Sequence, residues 1–391
     1  MQALEGMVVL DLGRRYPAAY TAMFLADFGA TVIKVDPPGA VFPIPGVDSR
    51  GERFPAFFSP DRNKKSMVLN LRCDEGREVF RKLAAKADVL IEGFRPGVMA
   101  RLEVGYESLE KVNPGLIYCA LSGYGQDGPY ASMPGHDMNY VAIGGALSQI
   151  GPRDGPPCFP SNYLADMAGA GLHGVIGILL ALAARAKTGL GQFIDVSYLD
   201  GVISLLAIDS SLYFLTGEIP RRGETALTGG APWAQVLMCR DGEYITIGCL
   251  EPHFWQNLCR AIGRDDLIPF HNPPEEKKGW VVAELQKVFL TRTRDEWWEY
   301  LKEKGTCVGP VNSFPEAFSD PQVRHRQMVL EFDHPRLGKV KQTGIPIKLS
   351  RTPGSVRSLG TPTGTHTDEV LSWLGYAAPE IQKLRAGKVV E

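Results

Sequence analysis

Hydrophobic and polar positions alternate with two periods along the first third of the chain. Residues 7–10 form a short apolar run, and 17–28 carry apolar residues at helical spacing that stop at Gly29, a C-cap residue. Residues 31–35 are β-branched, and 65–71 alternate as a strand does. Residues 74–87 predict an amphipathic helix with Val79, Phe80 and Leu83 on one face and Asp74 as N-cap. Residues 89–91 and 116–121 read as further strands, and 37–62, rich in Pro, Gly and Arg, as a long loop. Strands alternating with helices predict an α/β fold: a parallel sheet with helices on both faces.

A long apolar helix is expected to follow Asp166 and to end near Gly189. Gly171, Gly174 and Gly177 recur every three residues along it, which places them along one side where another backbone can pack closely. Residues 167–184, MAGAGLHGVIGILLALAA, fall slightly short of the ~20 residues of a membrane span and include His173, so a buried core helix is expected. A strand at 192–197 and a helix at 198–215 follow. Residues 217–232 lose periodicity and read as a linker. Beyond it the texture changes. Runs at 235–239 and 244–248 flank Arg240-Asp-Gly, a hairpin signature, and helices are expected at 252–262, 281–290 and 294–304. Thr293 and Glu296 form a capping box for the last of these. This middle section reads as a smaller α+β domain, and the final ~60 residues return to strand, loop and two short helices.

The composition is that of an ordinary globular protein: 391 residues, 44% hydrophobic and 22% charged. A net charge of −2 gives no argument for nucleic acid or an anionic membrane as partner, so an anionic ligand must be held by local basic groups. The seven cysteines are scattered without a C-x-x-C, which fits reduced thiols rather than disulfides or a zinc site. No metal ligand set is apparent. The first residues lack a basic region followed by a long apolar run, and a cytoplasmic location is expected.

One motif invites a nucleotide reading. GYGQDG (123–128) is a literal G-x-G-x-x-G after a strand-like run. A dinucleotide fingerprint, however, must open a helix and be followed about 20 residues on by an acid. Here PYASMPGHD follows, with two prolines and no helical face. The first βαβ unit does end in an acid, Asp36, but its first turn lacks the glycines. Dinucleotide chemistry is therefore set aside, as are P-loop, H-E-x-x-H and G-x-S-x-G chemistries, whose motifs the chain lacks.

Other segments resemble the class III CoA-transferase superfamily of the CaiB/BaiF type, and within it the branch of the α-methylacyl-CoA racemases. They are MFLADFGATVIKVD (23–36), NKKSMVLNL (63–71), EGFRPGVMARL (92–102), LIYCALSGYGQDGPY (116–130), GHDMNY (135–140), NYLADMAGAG (162–171), AKTGLGQFIDVSYLDGV (186–202), GGAPW (229–233), Glu251-Pro252 and THTDEVL (365–371). The resemblance implies an interlocked homodimer with a Rossmann-like large domain built from both chain ends. The boundaries expected are 1–216 for its first part, 217–232 for a linker, 233–324 for the small domain and 325–391 for the return. The active site is then expected where the large domain of one subunit meets the small domain of the other.

Racemising an acyl-CoA needs two acid/base groups on opposite faces of the carbon alpha to the thioester, and donors for the enolate oxygen. By resemblance these groups are His136, assisted by Glu251, and Asp166. Asp166 also stands at an expected helix start, where unpaired backbone N–H groups could meet an oxyanion. The helix dipole favours its anion by ~0.3–1 kcal/mol, whereas burial raises a carboxyl pKa by up to ~3–5 units, so desolvation wins if the site closes. Read without the resemblance, Asp166 could serve only as an N-cap, and Asp137 holds the loop or orients the imidazole. In family transferases the matching aspartate is instead a nucleophile that forms anhydride and CoA-thioester intermediates. His136 favours racemisation, since the transferases commonly lack a histidine there. A non-catalytic acyl-CoA-binding protein is the third alternative.

For CoA the resemblance points to Leu69, Asn70, Leu71, Arg72, Gly93, Phe94, Arg95, Arg101 and Gly135. Arginine suits phosphate by charge and bidentate geometry, though any one of these could be solvated surface. No cofactor is implied beyond the CoA moiety of the substrate. The chain departs from the racemase pattern in three places. Pro37 stands where an arginine is usual after the second strand, with Lys64 or Lys65 as replacements. Trp233 follows GGAP where tyrosines are common, which suggests a remodelled substrate pocket. Arg14 and Arg15 replace small residues in the first turn and could read a second carboxylate on the acyl group.

Overall fold

The computed structural model describes residues 1–13, 16–41, 51–161 and 163–391. Six parallel strands form one sheet: β1 (Val8–Asp11), β2 (Thr31–Asp36), β3 (Lys64–Val68), β4 (Val89–Glu92), β5 (Ile117–Ser122) and β6 (Phe193–Ser197). Their order is β3-β2-β1-β4-β5-β6, so the direction of winding reverses between β1 and β4. Strand alternation sorts the side chains. Leu10, Ile33, Met67, Leu90 and Tyr118 share a core with Val79, Phe80 and Leu83 of the Asp74–Lys86 helix. Val370, Leu371 and Ile381, from the C-terminal helices Thr367–Trp373 and Ala378–Ala386, complete it. The apolar stripe predicted for the Asp74–Lys86 helix is the stripe that is buried. Cys73 is the N-cap; Asp74 is one residue further in, paired with Arg77, where its charge suits the helix dipole.

The opposite face carries the Tyr16–Asp27 helix and the helix that ends at Gly189. Close packing requires the glycines there. A Cβ on Gly171 would sit 2.8 Å from Tyr20 Cδ1, and one on Gly174 would sit 2.9 Å from Thr21 Oγ1. The segment is not one α-helix. Leu164–Leu172 is a π-helix, continued by the α-helix His173–Thr188. Where the two helices join, His173 Nδ1 lies 3.0 Å from the Ala168 carbonyl. Only one side of the His173–Thr188 helix is buried, whereas a buried core helix was expected. Gly174, Ile178 and Ala181 pack inward, while Ile176, Leu179 and Leu180 are exposed. Leu164–Thr188 is the one single helix among the described residues long and apolar enough to cross a bilayer.

The chain divides into two compact units: Met1–Gly144, Ser161–Leu206 and Pro321–Glu391 form the first; Gly145–Pro160 and Ala207–Asp320 form the second. This division differs from the boundaries expected from sequence at 145–160, 207–216 and 321–324. Arg222 supplies a reason, donating to the carbonyls of Ser148, Pro152 and Gly155 and so tying the first of those segments to the region after 216. The expected single helix at 198–215 is two, Tyr198–Leu205 and Ala207–Thr216. Leu206 N–H tightens the junction on the Ile203 carbonyl.

The second unit holds an antiparallel sheet of β7 (Ala234–Met238), β8 (Tyr244–Gly248) and β9 (Val308–Pro310), in that order. Gly242, at φ +82°, makes the hairpin turn. Trp255, Leu258, Phe289, Trp297 and Leu301 from the flanking helices fill its core. Thr293 and Glu296 cap the Arg294–Leu301 helix reciprocally, as the sequence predicts.

Candidate active site

Several of the candidate residues follow the carboxyl ends of the parallel strands. β5 ends at Ser122, and the GYGQDG segment leaves it. Asp195, on β6, fastens this loop by accepting the Gln126 N–H at 3.0 Å. The Tyr140 ring lies against the loop so closely that a Cβ on Gly123 would be 2.5 Å from it, and one on Gly135 2.6 Å. Tyr140 also meets Tyr124 and Tyr198 edge-on, at 5.1 and 5.2 Å between ring centres. These glycines serve side-chain packing. In the same stretch Ser122 Oγ, Tyr124 OH and Gln126 Nε2 are buried with no hydrogen-bond partner among the described residues. Buried unpaired polar atoms are uncommon, and three within five residues is a concentration.

His136 is the N-cap of the helix Asp137–Ile143, and its imidazole is exposed. Asn139 Oδ1 accepts the His136 backbone N–H at 3.0 Å, which fixes the loop just ahead of the helix. Asp137 reaches across to the π-helix, where its Oδ2 accepts the Asp166 backbone N–H at 2.9 Å. One contact thus joins segments 29 residues apart and brings His136 and Asp166 into the same part of the first unit. It also corrects the expectation of unpaired N–H groups at Asp166: its own N–H is taken by Asp137, and that of Met167 by the Tyr163 carbonyl at 2.8 Å. Tyr163 enters the π-helix with φ +49°, a conformation uncommon outside glycine.

The half-buried Asp166 carboxyl is pushed up from 3.8 to about 7, first by burial and then by the negative charge of Asp137. Such a group exchanges a proton near neutrality. Burial also raises the hydroxyls of Tyr140 and Tyr198, and the Asp166 charge raises both further. Arg95 acts on Tyr140 in the opposite sense.

A cavity of about 560 Å³ opens beside β1 and β4, where the strand order reverses. Ligands of open α/β sheets bind at such a switch point, and the volume suits a small-molecule site. Leu69, Asn70, Leu71, Arg72, Phe94 and Arg101, all named from the sequence, line it. Leu12, Val35, Pro37, Pro38, Val98 and Leu102 complete the wall and were not named as contacts. No side-chain hydrogen bond or ion pair engages the guanidinium of Arg72 or Arg101 among the described residues, so both are available to an anion. Gly93 adjoins the cavity wall at Phe94. A Cβ there would meet only Ala18 Cβ at 3.8 Å and the Leu121 carbonyl at 3.9 Å, ordinary contacts that the fold tolerates.

The remaining candidates lie elsewhere. Lys64 does not replace the missing arginine. It is buried, paired with Asp11 at 2.7 Å and bonded to the Ala19 carbonyl. Lys65 pairs with Glu369. Glu251 belongs to the second unit, where it is the exposed N-cap of the Pro252–Ala261 helix. Trp233, expected in a substrate pocket, is 5% exposed within the second unit's core. Its ring stacks near His271 and its N–H reaches Asn272 Oδ1 at 3.4 Å, so within the unit it serves packing. Arg14 and Arg15 lie outside the described residues.

The sequence matches the model of CoA-transferase family III over residues 4–367. It is 35% identical to human alpha-methylacyl-CoA racemase, covering 100% of this chain and 98% of that one. It is 34% identical to the beta subunit of succinyl-CoA–L-malate CoA-transferase from Chloroflexus aurantiacus, covering 99% and 98%. A CAIB/BAIF family protein from Brucella suis has the same fold, with a TM-score of 0.81 at 30% identity over 95% of this chain and 99% of that one.

Proposed function

The chain belongs to CoA-transferase family III, and within it we propose an acyl-CoA racemase or epimerase acting on a 2-substituted, 2-methylacyl-type thioester. One observation carries the choice: an aspartate whose carboxyl titrates at about 7, tied through Asp137 to the histidine loop. In one direction neutral His136 removes the alpha proton while protonated Asp166 supplies one to the opposite face. In the other direction the aspartate is the base and the imidazolium the acid. Both directions need one proton shared across the pair, so activity falls when the pair holds two protons or none. A carboxyl near pH 7 keeps that state populated under neutral conditions.

The CoA moiety fits the 560 Å³ cavity, with Arg72 and Arg101 for its phosphates. Ser122, Tyr124 and Gln126, whose polar atoms are unpaired among the described residues, are the candidates to donate to the thioester oxygen. Homodimerisation belongs to the same proposal. It is supported by the exposed apolar face of Ile176, Leu179 and Leu180, and a second subunit would then supply its Glu251 beside His136. Light scattering reads the dimer directly, and a monomer at micromolar concentration contradicts it.

CoA transfer is the second reading, favoured by full-length identity to the malate CoA-transferase subunit. Incubating 2-methylacyl-CoA in deuterated water separates the two. Alpha-deuterium uptake without an acceptor acid is the expected result. No uptake, with CoA passing between acids and hydroxylamine trapping at Asp166, establishes transfer instead.

A further inference from the structure

Five carboxylates among the described residues are at least nine-tenths buried: Asp11, Asp27, Asp36, Asp61 and Glu92. Four face a cation. Asp11 pairs with Lys64, Asp27 with Arg62, and Asp36 and Asp61 with Lys34. Glu92, 5% exposed, has no lysine or arginine partner among the described residues. A buried carboxyl without a counter-charge is costly, so its position calls for a reason.

Glu92 is the last residue of β4. It stands in register with Ala120 on β5, and Ala120 stands in register with Asp195 on β6. Two carboxylates therefore flank a small residue across three neighbouring strand ends. Each accepts a backbone N–H from a segment at the sheet's carboxyl edge. Asp195 takes Gln126 of the GYGQDG loop at 3.0 Å, and Glu92 takes Phe94 at 2.6 Å. Phe94 lines the large cavity together with Arg72 and Arg101, and the Arg95 carbonyl accepts the Val98 N–H that begins the next helical turn.

We propose that Glu92 is a positioning residue for CoA. Its carboxylate pins the Phe94 amide and so sets the Gly93–Arg95 turn against the cavity, more tightly when ionised than when protonated. This rests on the assignment of that cavity to CoA, not on racemisation. The charged group that acts on Glu92 is Asp195 on β6; the Glu92 charge in turn raises the hydroxyls of Tyr118 on β5 and Tyr198 on the following helix and the thiol of Cys119 on β5, so every titratable group facing it is neutral or anionic. Burial, opposed by the Phe94 N–H and helped by Asp195, places its titration at about 7, so its ionisation changes across the neutral range. An ionised acceptor makes the stronger hydrogen bond.

The test is calorimetric binding of free CoA at pH 6 and pH 8 to the wild type, Glu92→Gln and Glu92→Ala. Free CoA undergoes no proton abstraction at carbon, so the result is independent of whether the enzyme racemises. Dividing the affinity of the wild type by that of the glutamine variant at each pH cancels the titration of the ligand's phosphates. The ratio is expected to rise about threefold or more from pH 6 to pH 8, and the alanine variant to bind about tenfold more weakly than the glutamine variant at both. A ratio that stays flat, or a folded alanine variant that binds as the wild type does, overturns the proposal. If the alanine variant fails to fold, the glutamine ratio alone decides. If no form binds CoA at all, the cavity assignment falls and this inference falls with it, while deuterium exchange still judges the racemase reading separately.

Discussion

Asp166→Asn should stabilise the protein while abolishing racemisation, and the gain should depend on pH. The Asp166 carboxyl lies at about 7 in the fold against 3.8 unperturbed, because of burial first and Asp137 second. The folded state therefore keeps a proton that the unfolded chain releases between pH 4 and pH 7, and stability is lost as pH rises through that window. A shift of about three units corresponds to roughly 4 kcal/mol at full effect. Asp166 is only half-buried, so solvent screening reduces this to roughly 2 kcal/mol. Asparagine carries no charge to desolvate and leaves the backbone bond to Asp137 in place. Urea unfolding followed by circular dichroism, at fixed protein concentration, should show the variant about 2 kcal/mol more stable at pH 8 and within about 0.5 kcal/mol of the wild type at pH 4.5. A variant no more stable at pH 8, or equally stabilised at both pH values, refutes the electrostatic reading of the site.

Asp137→Asn removes the negative charge beside Asp166 but keeps an oxygen for its backbone N–H, so the limb of the kcat/KM pH profile associated with Asp166 should move to lower pH; unchanged limbs contradict this. Gly93→Ala should fold with stability within about 0.5 kcal/mol of the wild type yet raise the KM for acyl-CoA, because its Cβ meets only ordinary contacts inside the protein. Gly135→Ala should instead cost about 1–3 kcal/mol in thermal or urea unfolding, since its Cβ would lie 2.6 Å from the Tyr140 ring.

The sheet was legible because β-branched runs and the 74–86 stripe carry their own period, and the strand bounds agree within a residue or two except at β3, which ends at Val68 rather than 71. The π-helix was not, because a π-turn and an α-turn can draw on the same apolar residues; Tyr163 at φ +49° and the His173–Ala168 contact appear only in three dimensions. Asp166 and His136 were named as candidates by resemblance, but the contact that links their segments could not be read, since Asp137 finds its partner 29 residues away. Glu92 escaped attention for a similar reason. A strand-end glutamate looks ordinary until the pairing register sets it opposite Ala120, with no lysine or arginine partner among the described residues. Trp233 shows the converse: an unusual residue in a recognised motif, taken by the core of its own unit.

The proposed racemisation places a histidine and an aspartate on opposite faces of one carbon. The most direct measurement is alpha-deuterium exchange in deuterated water from each pure enantiomer of a 2-methylacyl-CoA, with His136→Ala and Asp166→Asn. Each variant should lose racemisation yet keep exchange from one enantiomer, and the two should keep opposite ones. Loss of exchange from the same enantiomer in both, or racemisation that survives either substitution, contradicts the two-base mechanism.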